Sequence, residues 1–176
     1  MEKTLRMMGI LVLTLAIVFT MSAGAFAQTK TVDTNRITKS EALEIALKDA
    51  GLTKDQVKNI EKDYDDGKFE IEFTQRGTKE EYDYEISKRG KILEKSVDFN
   101  LKRVKGKPTL SEKEAIDLVS EFTGVKKSVI KRGDIELDKE DGQWVYEFDF
   151  QTKKWDYEVE LHAKTGNVLE YSMDRN

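Results

Sequence analysis

The chain has 176 residues, of which 36% are charged, with a formal net charge of −4 and no cysteine. The lack of cysteine excludes disulfide bonds, a thiol nucleophile and a thiolate metal site. Because both signs of charge are interspersed and the balance is negative, there is no electrostatic basis for binding nucleic acid.

Residues 1–27 have the pattern of a secretory signal peptide. Its basic, apolar and cleavage segments are Lys3 with Arg6, residues 7–21, and Ala25-Phe26-Ala27. The alternative is a retained anchor, but the apolar run is shorter than the ~20 residues that a spanning helix needs. We expect cleavage after Ala27, a flexible leader over residues 28–36 and no stable membrane anchor afterwards. The protein would then be secreted or held in the cell envelope.

One sequence pattern occurs twice after the leader, at residues 37–99 and 110–174. The two openings are Ile37-Thr38-Lys39-Ser40-Glu41-Ala42 and Leu110-Ser111-Glu112-Lys113-Glu114-Ala115. Both are capping boxes, in which a hydroxyl and a Glu three residues later satisfy backbone amides at a helix start. An apolar stripe of helical period follows each box, and Gly51 and Gly124 stand where a helix ends in a left-handed residue.

A linker at residues 100–109 separates the two repeats and contains the only proline, Pro108. Its basic residues are Lys102, Arg103, Lys105 and Lys107. A solvated, flexible connection explains this cluster, and a docking strip for an acidic partner is the alternative. The linker would act as a hinge between two independently folded repeats.

Three or four strands follow each helix. The hairpin turns are Asp65-Asp66-Gly67 and Glu140-Asp141-Gly142, since Asp-Gly supplies the positive φ that such turns need. Aromatic and aliphatic residues alternate with charged residues after each turn, which predicts a half-buried antiparallel meander. The fold class is therefore α+β, with two modules that each pack one N-terminal helix on a three- to four-stranded meander. The second repeat, with Trp144 and Trp155 in its inward rows, would have the larger aromatic core.

These repeats resemble the PepSY domain family over nearly the whole chain after the signal peptide. The most specific match is the closing strand, turn and strand of residues 157–169, Tyr-Glu-Val-Glu-Leu-His-Ala-Lys-Thr-Gly-Asn-Val-Leu. The first repeat departs from it, because its final turn Ser87-Lys88-Arg89-Gly90 is one residue shorter. The family occurs in propeptides of secreted metallopeptidases and in envelope proteins. The resemblance implies a non-catalytic module that binds or restrains peptidases.

Catalytic chemistry has little support in the residues. His162 is the only histidine, and its place at a strand end before a turn predicts a solvent-exposed side chain without a catalytic or metal-binding partner. Residues 63–67, Asp-Tyr-Asp-Asp-Gly, have the acidic composition of a calcium-binding loop. They lack the alternating ligands and the distant Glu that such a loop needs. A hairpin turn explains them instead. We expect no enzyme activity, no metal site and no cofactor.

Acidic residues occupy the outward positions of neighbouring strands in both repeats. The candidate interaction residues are Glu70, Glu72, Asp83, Glu85, Glu136, Glu147, Asp149, Glu158 and Glu160. Like charges that face each other across strands cost roughly 0.2–1 kcal/mol per pair. Carrying that cost in both repeats suggests a face that meets cations or a basic partner, although Lys68, Lys153 and Lys154 would also screen it.

Two functions fit these features. The first is a secreted, non-catalytic module that binds or inhibits an exported peptidase through the acidic sheet face or an open edge strand. The alternative is a cell-envelope protein whose acidic faces bind calcium weakly. A shift in melting temperature with calcium would distinguish the two, since a ligand that prefers the folded state stabilises it.

Overall fold

The structure is a computed structural model that describes residues 36–102, 104–140 and 142–176. The expected signal peptide with its cleavage site, most of the leader, Arg103 and Asp141 lie outside the described residues. The helices are α1 (Lys39–Ala50), α2 (Glu112–Thr123) and α3 (Lys127–Ile130), with a 3-10 turn at Lys54–Gln56. The strands are β1 (Val57–Asp65), β2 (Lys68–Gln75), β3 (Glu81–Ser87), β4 (Ile92–Asp98), β5 (Asp134–Glu140), β6 (Gln143–Gln151), β7 (Trp155–His162) and β8 (Val168–Arg175).

All eight strands form one antiparallel sheet in the order β1-β2-β3-β4-β8-β7-β6-β5. The α+β class is confirmed, but the two separate meanders that the sequence predicted are two halves of a single sheet. The halves join where Glu94–Asp98 of β4 pairs with Glu170–Asp174 of β8. In a lone repeat, the last strand would expose a row of unpaired backbone amides and carbonyls. Here the exposed groups of β4 and β8 form hydrogen bonds with each other.

The helices begin and end where the sequence indicated. The Thr38 hydroxyl accepts from the Glu41 amide, and the Glu41 carboxylate accepts from the Thr38 amide at 2.7 Å. The Ser111 box in α2 has the same reciprocal bonds. Gly51 and Gly124 end the two helices with φ of 69° and 71°, a conformation that glycine adopts without steric cost.

Each half of the sheet has its own apolar core beneath its helix. In the first half, α1 packs Ala42, Leu43, Ala46 and Leu47 against a sheet face that includes Phe69, Ile71 and Ile86. In the second half, α2 and α3 pack Ala115, Ile116, Val119 and Ile130 against a face that includes Phe148, Val159 and Leu161. The aromatic rows therefore lie in the core as predicted, although Trp144 and Trp155 are only partly buried.

Aromatic contacts continue across the joint between the halves. Phe122 of α2 stacks edge-on against Phe99, which follows β4, and against Tyr171 of β8, with ring centroids 5.9 and 5.2 Å apart. Within the first half, Lys95 of β4 forms a salt bridge of 2.8 Å with Asp49 of α1. Both helices consequently cover the same face of the sheet, and the opposite face has no helix among the described residues.

The expectation of an exposed His162 is wrong, because the side chain is only 2% exposed. Its Nδ1 accepts from the amides of Lys164 and Thr165, both at 3.1 Å, so the proton of the neutral ring lies on Nε2. Nε2 then donates to the Val104 carbonyl at 2.8 Å. The Thr109 amide also donates to the Ala163 carbonyl at 3.0 Å, so the linker is bound to the second repeat at Val104 and at Thr109.

Candidate interaction face

The sheet face opposite the helices has acidic side chains in register from strand to strand, and we call it the acidic face. Its central row crosses all eight strands: Glu61, Glu72, Asp83, Ser96, Ser172, Glu158, Asp149 and Asp134. A second row crosses six strands: Glu81, Asp98, Glu170, Glu160, Glu147 and Glu136. A third begins in the first repeat: Asp63, Glu70, Glu85, Glu94, Asp174 and Asp156. The acidic face is thus continuous across both repeats.

The structure brings all nine sequence-predicted candidates onto this face. The cross-strand pairs are Glu70 with Glu85, Glu72 with Asp83, Glu147 with Glu160, Asp149 with Glu158, and Glu136 with Glu147. Sequence reasoning missed Glu94, Asp98, Glu170 and Asp174 on the last strands of the repeats, and Glu61, Asp63, Glu81, Asp134 and Asp156 elsewhere on the face. Both last strands carry a register shift, at Leu93 and Leu169, which interrupts the alternation that would have placed their acidic residues outward.

Burial and the crowding of like charges raise the pKa of several carboxyls on the acidic face. The charge of Asp83 raises the pKa of Glu72, and burial raises the pKa of Asp83 itself. Burial together with neighbouring carboxylates also raises the pKa values of Glu94, Glu147 and Glu170. The largest change is at Glu160, where burial, aided by the charges of Glu140 and Glu170, raises the pKa to about 7. Partial burial, with repulsion between neighbouring carboxylates, therefore makes the ionised form of these groups less favourable than in free solution.

In the first repeat, a lysine compensates part of this charge. The Lys68 ammonium contacts the Glu85 carboxylate at 2.5 Å, and that hydrogen bond raises the pKa of Lys68. Among the salt bridges of the described residues, none involves Lys153 or Lys154, which lie in the turn between β6 and β7. Of the three lysines that the sequence suggested as screening groups, only Lys68 is ion-paired in the part of the chain that the structure describes.

In the second repeat, the corresponding part of the acidic face borders a cavity of about 310 Å³. The cavity is lined by Asp98, Asn100, Leu101, Glu140, Gln143, Glu160, Leu169 and Glu170, and we call it the junction cavity. Gln143 is 8% exposed, and its Oε1 has no hydrogen-bond partner among the described residues. Leaving a buried acceptor unpaired costs about 1–3 kcal/mol, so this atom marks a place where a donor is missing.

A larger groove of about 590 Å³ lies beside α3, between Arg132 and the start of β7. Arg132 lines this groove together with Asp134, Asp149 and Asp156. No buried polar atom without a partner lines it among the residues described. The groove therefore has no feature that requires a ligand.

The residues that the structure describes include no group of three or more histidine, cysteine, aspartate or glutamate side chains placed to hold a metal ion. Residues 65–68 form the predicted hairpin turn, with Asp66 and Gly67 at φ of 46° and 85°. The calcium alternative accordingly gains no support from the geometry. In the same described part of the chain, no helix has the length and apolar character needed to cross a membrane.

The folded repeats match one known protein family. The family described as "Peptidase propeptide and YPEB domain", or PepSY, matches residues 36–95 and again residues 109–171. Since these two matches cover well over half of the chain, the protein belongs to the PepSY family and contains two copies of its domain.

Two individual proteins illustrate the relationship. The chain is 28% identical over 159 residues to the uncharacterized protein YkoJ of Bacillus subtilis (strain 168). The alignment covers 88% of this chain and 91% of YkoJ. Among solved structures it is similar to the YpeB C-terminal domain of Bacillus megaterium, with a TM-score of 0.33. That alignment has 14% identity and covers 80% of this chain and 99% of the other.

Proposed function

We propose that this protein is an exported, non-catalytic binding module that binds and restrains an extracytoplasmic peptidase through its acidic face. Membership of a family described by peptidase propeptides supports the choice of partner class. The observation that carries the proposal is the central row, which is acidic on six of the eight strands, is interrupted by Ser96 and Ser172 at the joint, and has no covering helix among the described residues. A surface of this kind suits a partner with a basic face.

Repulsion between acidic side chains on neighbouring strands raises the free energy of the unbound protein. Each directly opposed acidic pair, such as Glu72 with Asp83 or Asp149 with Glu158, costs roughly 0.2–1 kcal/mol in the free protein. A basic partner relieves this repulsion on binding, so part of the cost returns as affinity. The same field accelerates the encounter with positively charged proteins and weakens as salt is added.

An open sheet edge offers a second route to the same partner. β5 is an edge strand, and every one of its residues except Ile135 is exposed. Its outer backbone groups could pair with an extended segment of a partner, as in β-strand addition. β1 is less suited, because Asn59, with φ of 50°, interrupts its register. We favour the acidic face as the main contact and β5 as an auxiliary one.

The bonding of the single histidine supports the non-catalytic part of the proposal. His162 uses both ring nitrogens within the fold and has no nucleophile among its partners. The signal peptide that the sequence predicts over residues 1–27 supports export.

The proposal is tested by capture of exported peptidases on immobilised residues 28–176. The matched control neutralises the central row with Glu72→Gln, Asp83→Asn, Asp149→Asn and Glu158→Gln, which preserve side-chain size. The wild-type protein should retain a peptidase, slow its hydrolysis of a peptide substrate, and lose both effects in the neutralised variant and at high salt.

Inhibition that is equal for the two proteins would show that the acidic face is not the contact. Failure of the wild-type protein to slow any exported peptidase, under conditions where it is folded, would refute the function itself.

A further inference from the structure

The internal duplication provides a built-in comparison for the junction cavity. Aligning the two Asp-Gly turns places Lys68 of the first repeat opposite Gln143 of the second. The same alignment matches Glu85 with Glu160, and Glu94 of β4 matches Glu170 of β8. The structure agrees with this correspondence, because Glu85 pairs with Glu94 as Glu160 pairs with Glu170.

In the first repeat, the alkylammonium group of Lys68 lies among these carboxylates and contacts Glu85 directly. In the second repeat, the equivalent carboxylates remain but the position of the lysine is taken by a neutral amide. None of the salt bridges among the described residues involves Glu160, Glu170 or Asp98. The second repeat therefore has the anionic surroundings of an ammonium site without the ammonium.

A second observation, independent of the acidic cluster, also indicates a missing donor. Gln143 lines the junction cavity, is more than nine-tenths buried, and has an Oε1 without a partner among the described residues. Burying an unpaired amide oxygen is costly, and an N–H donor in the cavity would remove that cost. The carboxylates supply the charge and Gln143 supplies a neutral acceptor.

We propose that the junction cavity binds an alkylammonium group, the chemistry of a lysine side chain presented by the partner protein. This deepens the proposed function, on which it rests for the identity of the partner, because the cavity opens on the acidic face. The site is formed by both repeats: Asp98 comes from β4, whereas Glu160 and Glu170 come from β7 and β8. Neither repeat alone contains it.

The cavity fits an alkylammonium better than a metal ion. Its volume of about 310 Å³ accommodates a side chain with a methylene stem. Leu101 and Leu169 in the lining provide apolar contacts for such a stem, as lysine stems commonly pack on apolar surface. The carboxylates are not gathered closely enough to form a metal-binding group among the residues described. Lys68 in the first repeat shows the kind of cation that these positions accept.

The test is a titration of ¹⁵N-labelled residues 28–176 with the peptide acetyl-Gly-Lys-Gly-amide, followed by nuclear magnetic resonance. A matched peptide with acetylated lysine has the same stem without the charge. At about pH 8, where Glu160 is ionised, the lysine peptide should shift the side-chain amide resonances of Gln143 at millimolar concentration. The acetylated peptide should not.

Two variants separate this site from the rest of the acidic face. Glu160→Gln should weaken the peptide about tenfold, the usual effect of removing a charge-assisted contact. Gln143→Lys should abolish binding by supplying the ammonium from within the chain, as Lys68 does in the first repeat. Glu85→Gln is the control at the equivalent position of the first repeat, and it should leave peptide affinity unchanged.

Several results would overturn the proposal. These are the absence of any Gln143 shift with the lysine peptide, an equal shift with the acetylated peptide, and tighter binding of calcium chloride that displaces the peptide. Peptide binding without inhibition of a peptidase leaves this inference standing and rejects the proposed function. If Gln143→Lys leaves peptidase inhibition unchanged, the proposed function stands and the alkylammonium site in the junction cavity is rejected.

Discussion

Glu160→Gln should make the protein more stable at alkaline pH, although it removes a charge from a protein surface. Burial and the neighbouring carboxylates raise the pKa of Glu160 from 4.5 to about 7. The ionised side chain is therefore less favourable in the folded protein than in the unfolded chain. Glutamine has nearly the same shape and no charge, so it removes this penalty.

The magnitude follows from the difference between the two pKa values. A rise of roughly 2.5 would correspond to about 3.4 kcal/mol at about 1.36 kcal/mol per pKa unit. Solvent reaches much of this side chain, so we reduce the figure to about 1 kcal/mol. For a folded unit of this size, that stabilisation raises Tm by about 3–4 °C.

The sign of the effect depends on pH in a defined way. Below about pH 4.5 Glu160 is protonated in both the folded and the unfolded states, so the variant and the wild type should be equally stable. Between about pH 4.5 and 7 the unfolded chain releases its proton first, and the wild type loses stability as the pH rises. Above about pH 7 the loss is complete, and the advantage of the variant reaches its full value.

The assay is urea denaturation at a series of pH values, followed by tryptophan fluorescence. Both tryptophans, Trp144 and Trp155, lie in the second repeat with Glu160. Glu85→Gln is the matched control, because Glu85 contacts Lys68 and its loss should lower stability. If Glu160→Gln lowers the unfolding free energy at alkaline pH, or shifts it equally at all pH values, the reasoning about unrelieved repulsion is wrong.

Three further predictions concern the rest of the fold. His162→Ala should lower the free energy of unfolding by about 1–3 kcal/mol, because it leaves the Val104 carbonyl and two amides without partners. Urea denaturation measures this loss, and faster hydrogen exchange over residues 100–108 would show that the linker is the destabilised segment. Gly133→Ala should lower the free energy of unfolding by about 1–3 kcal/mol or more, since the added Cβ would lie 2.0 Å from the Asp149 carbonyl oxygen. An unchanged melting temperature would contradict this prediction. Residues 108–176 alone should fold and pair through the β8 edge that β4 normally covers, giving a dimer by analytical ultracentrifugation rather than a monomer.

Local features of this chain were predictable because each depends on residues close in sequence. The capping boxes at Thr38 and Ser111, the left-handed ends at Gly51 and Gly124, and the turn at Asp66 follow from backbone sterics and nearby hydrogen bonds. Strand alternation likewise placed the nine acidic candidates on one face, since side chains on a strand point alternately to opposite sides.

The prediction for His162 failed for a reason that involves distant residues. A polar residue before a turn is ordinarily exposed, and the residue types around it gave no sign of a partner. The Val104 carbonyl that covers it lies 58 residues away in the linker. Only the path of the linker over the second repeat decides that this side chain is buried.

The sequence by itself determined the duplication, the helix-and-meander units, the family and the acidic character of the outward face. The tertiary structure decided that the two units share one sheet, because pairing between β4 and β8 joins residues more than 70 positions apart and depends on each edge finding the other. The same pairing brings Asp98 beside Glu170 and creates the junction cavity. Strand periodicity fixes which side of a strand a residue faces, but only packing between strands fixes which residue it meets.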